Sequence, residues 1–128
     1  MSKTRIHRLG DVQLRLMQVL WQRGEATVGK VHKELAAERD LAYTTVATML
    51  RKMEARGLVR HRVEERSFVY RAVIGADAVS RGMADHLLDR LFEGSLADMV
   101  QHLLSHREIS REELSKLERL IAERKQAP

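Results

Sequence analysis

Apolar residues recur every three or four positions along most of this chain, and one stretch switches to strict alternation. Val12, Leu16, Val19 and Leu20 fall at helical spacing, and Leu14, Met17 and Trp21 widen their stripe, which predicts a helix over 11–23. Gly10 suits its N-cap, with Gln13 at N3, and Gly24 suits its C-terminal stop. Thr27 is a natural N-cap for a shorter helix over 28–39, with Val28, Val31 and Leu35 inward and Gly29 weakening it. A turn at "DLAY" leads to a third helix over 43–56. Val46, Leu50 and Met53 form its buried stripe at i, i+4 and i+7, flanked by Tyr43 and Met49. Thr44, Thr48, Arg51, Lys52 and Ala55 face away, Thr45 lies near the boundary, and Gly57 closes the helix. "LVRHRV" and "SFVYRAV" then alternate with period 2 and are rich in Val, Phe and Tyr, as two strands of a hairpin are. The charged link "EER" joins them.

From Ala76 the helical period returns. Val79, Met83, Leu87, Leu88, Leu91 and Phe92 mark a fourth helix that stops at Gly94. Ser95 caps a fifth, with Leu96, Met99, Val100, Leu103 and Leu104 apolar. Ser110 and Glu113 form a capping box at the start of a sixth, whose apolar side holds Leu114, Leu117, Leu120 and Ile121. The order helix, helix, turn, helix, hairpin is that of a winged helix-turn-helix. The expected fold is therefore mainly α with a small β-hairpin: a winged-helix domain over 1–73, then a helical domain over 74–128. The second part is short for an independent core. A second copy pairing on Met83, Leu87, Leu91, Met99, Val100, Leu103, Leu117 and Leu120 would bury its apolar faces, so a homodimer is expected.

Charge adds a partner. Residues 1–72 hold 15 Lys/Arg against 8 Asp/Glu, a net +7, whereas residues 73–128 hold 8 against 10, a net −2. A basic first half suits a polyanion. In a winged helix the third helix enters the DNA major groove. Short threonines at Thr44, Thr45 and Thr48 let it approach closely. Their hydroxyls can bond bases or phosphates, and their methyls can touch thymine methyls. Arg51 and Lys52 lie further along, near the backbone. Arg60 and Arg62 share a wing face by period 2, and with Arg66 they can clamp a phosphate strand or the adjacent minor groove. The competing reading is a winged helix that binds protein without DNA. The cationic outer face of the third helix and wing speaks against it.

Other classes fall away. With no cysteine in the chain, disulfides, thiolate metal sites and cysteine nucleophiles are excluded. No GxSxG, P-loop, HExxH or Rossmann glycine pattern occurs, so neither an enzyme nor a cofactor is expected. No apolar run is long enough to span a membrane, and the opening "MSKTRIHR" has no signal-peptide core. A cytoplasmic protein is expected. His102 and His106 sit at i and i+4, a spacing that can hold a metal, with Asp98 as a third ligand. Two histidines are few, and the plainer reading is polar or interface residues with no metal.

Several segments resemble a known family. "LGDVQLRLMQVLW", "LAYTTVATMLRKMEARGLV" and "RSFVYRAV" resemble the penicillinase-repressor and methicillin-repressor family, which also contains copper-responsive repressors. The similarity runs from about Leu9 to Lys125, and its most specific parts are the start of the third helix, Trp21, and the Phe68 and Tyr70 pair. "GSLADMVQHLL" resembles the dimerisation segment of that family. The resemblance implies a dimeric winged-helix repressor on an inverted-repeat, double-stranded DNA operator. It carries DNA contacts onto Thr44, Thr45, Thr48, Arg51 and Lys52; Tyr43, at the start of the same helix, is a further expected DNA-binding residue. It also implies an inducing signal, either a sensor protease or a ligand. Three features depart from the family pattern. The Asn-Phe bond cleaved in classical members is matched by His102-Leu103, the cysteine motif of the copper-responsive branch is absent, and Glu65 stands where the wing turn often has glycine.

Overall fold

Thr27 both ends a strand and caps a helix. In the computed structural model, which describes residues 9–128, the order is α1 (Asp11–Arg23), β1 (Glu25–Thr27), α2 (Val28–Ala36), α3 (Tyr43–Ala55), β2 (Val59–Glu64), β3 (Ser67–Ala72), α4 (Ala76–Phe92), α5 (Leu96–His106) and α6 (Arg111–Gln126). The opening segment 1–8, read above for a signal peptide, lies outside the described residues. Two compact units result, Met1–His86 and Leu87–Pro128. The division therefore falls within α4, later than the expected 73/74. The reason is local: Val79 is buried in the core of the first unit and Met83 packs against that core.

In the first unit, α1, α2 and α3 enclose one core. Leu16, Met17 and Leu20 of α1, Val31 and Leu35 of α2, and Val46, Leu50 and Met53 of α3 are all buried. Each fully buried side chain of this size contributes about 1.5–3 kcal/mol relative to exposure. Tyr70 closes the sheet side of that core. Gln13 Oε1 accepts from the Gly10 amide at 3.2 Å, and Thr27 Oγ1 accepts from the Lys30 amide at 3.2 Å. These satisfy amides that helix starts leave unpaired. Outside the core, Arg15 holds Glu38 at 2.6 Å and Arg23 holds Glu34 at 3.0 Å, two ties between the α1 and α2 segments.

Two elements differ from expectation. α2 ends at Ala36, short of residue 39, because its last turn tightens: the Glu38 amide donates to the Leu35 carbonyl, an i→i−3 bond. The sheet has three strands, in the order β1-β3-β2, all antiparallel. β1 pairs Glu25 with Arg71 and Thr27 with Val69. Three residues are too short for an alternating pattern to declare itself, so this strand was not foreseen.

The HTH turn is held by side chains. His32 Nε2 lies 2.7 Å from the Leu41 carbonyl, and its ring meets Tyr43 edge-on at 5.9 Å. Gly57, at φ 80°, ends α3 in a Schellman motif. Its amide donates to Glu54, and the Leu58 amide reaches back to Met53. Trp21 Nε1 donates to the Ile74 carbonyl at 2.8 Å, tying α1 to the chain that leaves the wing.

The second unit takes the rest of α4 with α5 and α6. Ser95 Oγ accepts from the Asp98 amide, and Ser110 Oγ accepts from the Glu113 amide, each at 3.1 Å. Both expected caps are thus in place. Neither α5 nor α6 contains a buried residue.

Candidate nucleic-acid interface

The opposite faces of α3 divide by chemistry. Val46, Leu50 and Met53 are fully buried, while Tyr43, Thr44, Thr45, Arg51 and Lys52 are exposed and Thr48 is half-buried. Ala42 precedes the helix without a side-chain cap. The Tyr43 and Thr44 amides therefore meet no side-chain cap at the positive end of the helix dipole, while the Thr45 amide donates to the Ala42 carbonyl at 3.1 Å. Arg51 Nη2 donates to Thr48 Oγ1 at 3.3 Å, so the hydroxyl that could read a base is already oriented by a cation.

Arg51 and Arg66 also meet at a cleft. Its volume is about 430 Å³, and its walls come from the start of α2 (Thr27, Gly29), one side of α3 (Tyr43, Arg51) and β3 with its turn (Arg66, Phe68). Two guanidiniums beside hydroxyls suit an oxyanion chain such as a phosphate backbone. Lys52 and the α3 threonines lie outside this cleft's lining.

The wing arginines separate into different roles. Pairing register puts Val59, His61 and Val63 on the sheet face shared with Phe68 and Tyr70, and puts Arg60 and Arg62 on the other face, opposite Arg71 and Val69. Arg62 donates to Glu25 Oε1 at 2.7 Å and also pairs with Glu64. The hydrogen bond to Glu25, then that to Glu64, raises its already high pKa. Two carboxylates therefore occupy the Arg62 guanidinium, and it braces β2 to β1. Arg60 is exposed on the same face. The register turns Arg60 and Arg62 away from the face that carries Phe68.

One pair near the interface escaped sequence reasoning. His61 Nδ1 lies 2.7 Å from Glu54 Oε1, and its ring stacks on Phe68 at 4.1 Å and 17°. Tyr70 lies 5.4 Å away, its hydroxyl pKa raised by burial and then by the Glu54 charge. This links α3 to the wing. Period 2 places His61 on the inner face with Tyr70 and Phe68, which was the available signal. Nothing in the linear pattern brings Glu54 to it.

The wing turn is Glu65-Arg66, with φ of 49° and 69°, between the paired Glu64 and Ser67. Positive φ at both central residues is the type I′ signature, which usually calls for Asn-Gly. Here two long side chains take it, and the turn carries Arg66 to the cleft.

The residues expected in a dimer surface also separate. Met83 packs on the core of the first unit. Leu87, Leu91, Leu103 and Leu120 are exposed, with Leu91 at 65%, and Met99, Val100 and Leu117 are half-buried. Leu96, Leu104, Leu114 and Ile121 are exposed as well and extend the same apolar character. Among the described residues no cluster of three metal-ligating side chains forms, so Asp98 does not complete a site with the two histidines. Among them, too, no helix is long and apolar enough to cross a membrane.

Comparison with known proteins agrees with this geometry. Residues 9–123 match the penicillinase repressor family. The chain is 36% identical over 121 residues to the transcriptional regulator BlaI of Mycobacterium tuberculosis, covering 93% of this chain and 86% of that protein. It is 29% identical over 121 residues to the penicillinase repressor of Bacillus licheniformis, covering 94% of each. Among solved structures it is similar to the DNA-binding domain of the repressor BlaI, with a TM-score of 0.52 and 29% identity over 59% of this chain and 93% of that one. It is also similar to monomeric Bacillus licheniformis BlaI bound to the blaP half-operator, with a TM-score of 0.50 and 30% identity over 58% of this chain and 90% of that one.

Proposed function

The chain belongs to the penicillinase repressor family, and on that footing we propose that this DNA-binding transcriptional repressor acts as a cytoplasmic homodimer on an inverted-repeat operator. α3 lies in the major groove, with Thr44, Thr45 and Thr48 toward base edges. Tyr43, Arg51, Lys52 and Arg66 hold the backbone of one strand along the cleft beside α3. The observation that carries this reading is the split of α3 itself. Three fully buried side chains fix the helix from behind, and its opposite face offers hydroxyls and cations. Arg60 contributes general attraction from the outer sheet face. Arg62 supports the wing and contributes little to DNA. The protein binds and releases DNA; it catalyses nothing.

The dimer rests on the second unit. The exposed leucines of α4, α5 and α6 need a cover, and a second copy supplies the same faces in return. The 74–128 segment then serves for dimerisation, with the α4 residues up to Met83 kept for the winged-helix core. Two half-sites spaced by about one helical turn, roughly 34–36 Å, match such a two-fold protein. Release follows an inducing signal, a sensor protease or a ligand.

Selection of bound duplexes from a random DNA library tests the whole reading. The expected product is a palindrome with fixed half-site spacing. Recovery of single, unpaired half-sites would remove the dimeric operator. Recovery of no consensus would remove base reading by α3.

A further inference from the structure

We propose that His102 and His106 of the second unit form a two-imidazole site for a divalent transition-metal ion. Both belong to α5, one turn apart, and both are exposed. Their ring centroids lie 4.5 Å apart, with planes tilted by 34°. With metal–nitrogen bonds of about 2.0–2.1 Å, two imidazoles sharing one ion at right to tetrahedral angles have ring centres about 4.5–5.2 Å apart. The observed spacing lies at the near edge of that range.

The orientation of His106 carries the argument further. Its Nδ1 lies 2.8 Å from the carbonyl oxygen of His102. A carbonyl only accepts, so Nδ1 holds the proton and Nε2 keeps its lone pair free. A backbone carbonyl taking the far N–H is the usual partner of a metal-bound imidazole, fixing its tautomer and raising its basicity. Phe92 lies 5.7 Å from the His102 ring and gives one side of the site an apolar wall. The chain supplies no third ligand among the described residues, so water fills the remaining positions. Imidazole donors with water select zinc, nickel or copper over calcium and magnesium. Because chelation needs the i, i+4 spacing, a bound ion also favours the helical form of α5.

Calorimetry of the untagged full-length protein with nickel or zinc ions tests this. One ion per chain is expected, and His102→Asn or His106→Asn should weaken binding by at least about tenfold, a loss that even an outer-shell partner can produce. A second readout is thermal. Zinc should raise the melting temperature of the wild type and leave the doubly substituted protein unmoved, since an ion bound only to the folded chain stabilises by mass action. Absence of binding up to about 1 mM metal, a free energy near −4 kcal/mol, overturns the site. So does binding that survives the double substitution.

Discussion

Arg62 and Arg66 are four positions apart, carry the same group, and differ in what that group meets. Arg62 is held by Glu25 and Glu64, whereas Arg66 lines the cleft with Arg51. To reach a phosphate, Arg62 must give up two carboxylates, whereas Arg66 pairs with no carboxylate among the described residues. Arg66→Ala should therefore weaken operator binding and lower the slope of log affinity against log salt by about 1, the signature of one lost phosphate contact. Arg62→Ala should leave that slope unchanged and alter stability little, because a solvent-exposed pair is screened by water and salt. Fluorescence anisotropy over a salt series separates the two; equal slopes for both variants would show that the carboxylates open on binding. At this scale, residue type and spacing single out Arg66 and the threonines of α3 as candidates. They could not reveal that Arg62 is neutralised, because Glu25 is far away in sequence and reaches it only through an unforeseen strand.

At the scale of elements, the helices were legible and the sheet only partly so. Val46, Leu50 and Met53 repeat over enough turns for the helical period to dominate. β1 spans three residues and has no period to read. It exists because β3 offers it an edge, a condition set by tertiary structure. The wing turn shows the converse, a local rule broken. Glu65 and Arg66 adopt positive φ, at about 1–2 kcal/mol per residue for ordinary side chains. Glu65→Asn should relieve part of this and stabilise the protein by about 0.5–1 kcal/mol, visible as a higher urea midpoint with unchanged m-value. An unchanged or lower midpoint would mean the turn is not strained in solution. The α1–α2 pairing has a pH signature. The hydrogen bond from Arg15 holds the Glu38 carboxyl below its ordinary value, and Arg23 does the same for Glu34. A depressed folded-state pKa contributes stability that is present above the ordinary carboxylate value and is lost as pH falls through the folded one. Glu38→Gln should thus destabilise slightly near neutral pH and flatten the acid limb of a stability–pH profile. A parallel, undiminished acid limb in the variant would count against the pairing.

For the whole molecule, the question is how a weakly buried second unit serves a strongly built first one. The first unit has a closed hydrophobic core. The second has helices well capped at Ser95 and Ser110 but no residue of α5 or α6 buried. Capping fixes where those helices start and leaves their leucines exposed; an added surface would cover them. If that surface is a second copy, affinity for the operator is a bivalent quantity, and linking two half-site contacts raises it by about 10²–10⁴ without any new contact to DNA. Leu91 is 65% exposed on α4, so Leu91→Asp adds a charge to the proposed seam while removing nothing from a core. The variant should remain folded by circular dichroism, sediment as a monomer, and lose about 10²–10⁴ in affinity for the full palindrome. Its affinity for an isolated half-site should be unchanged, because α3 and its backing residues are untouched. A variant that stays dimeric while losing the palindrome would move the seam away from Leu91. A monomer that keeps full palindrome affinity would separate repression from dimerisation altogether.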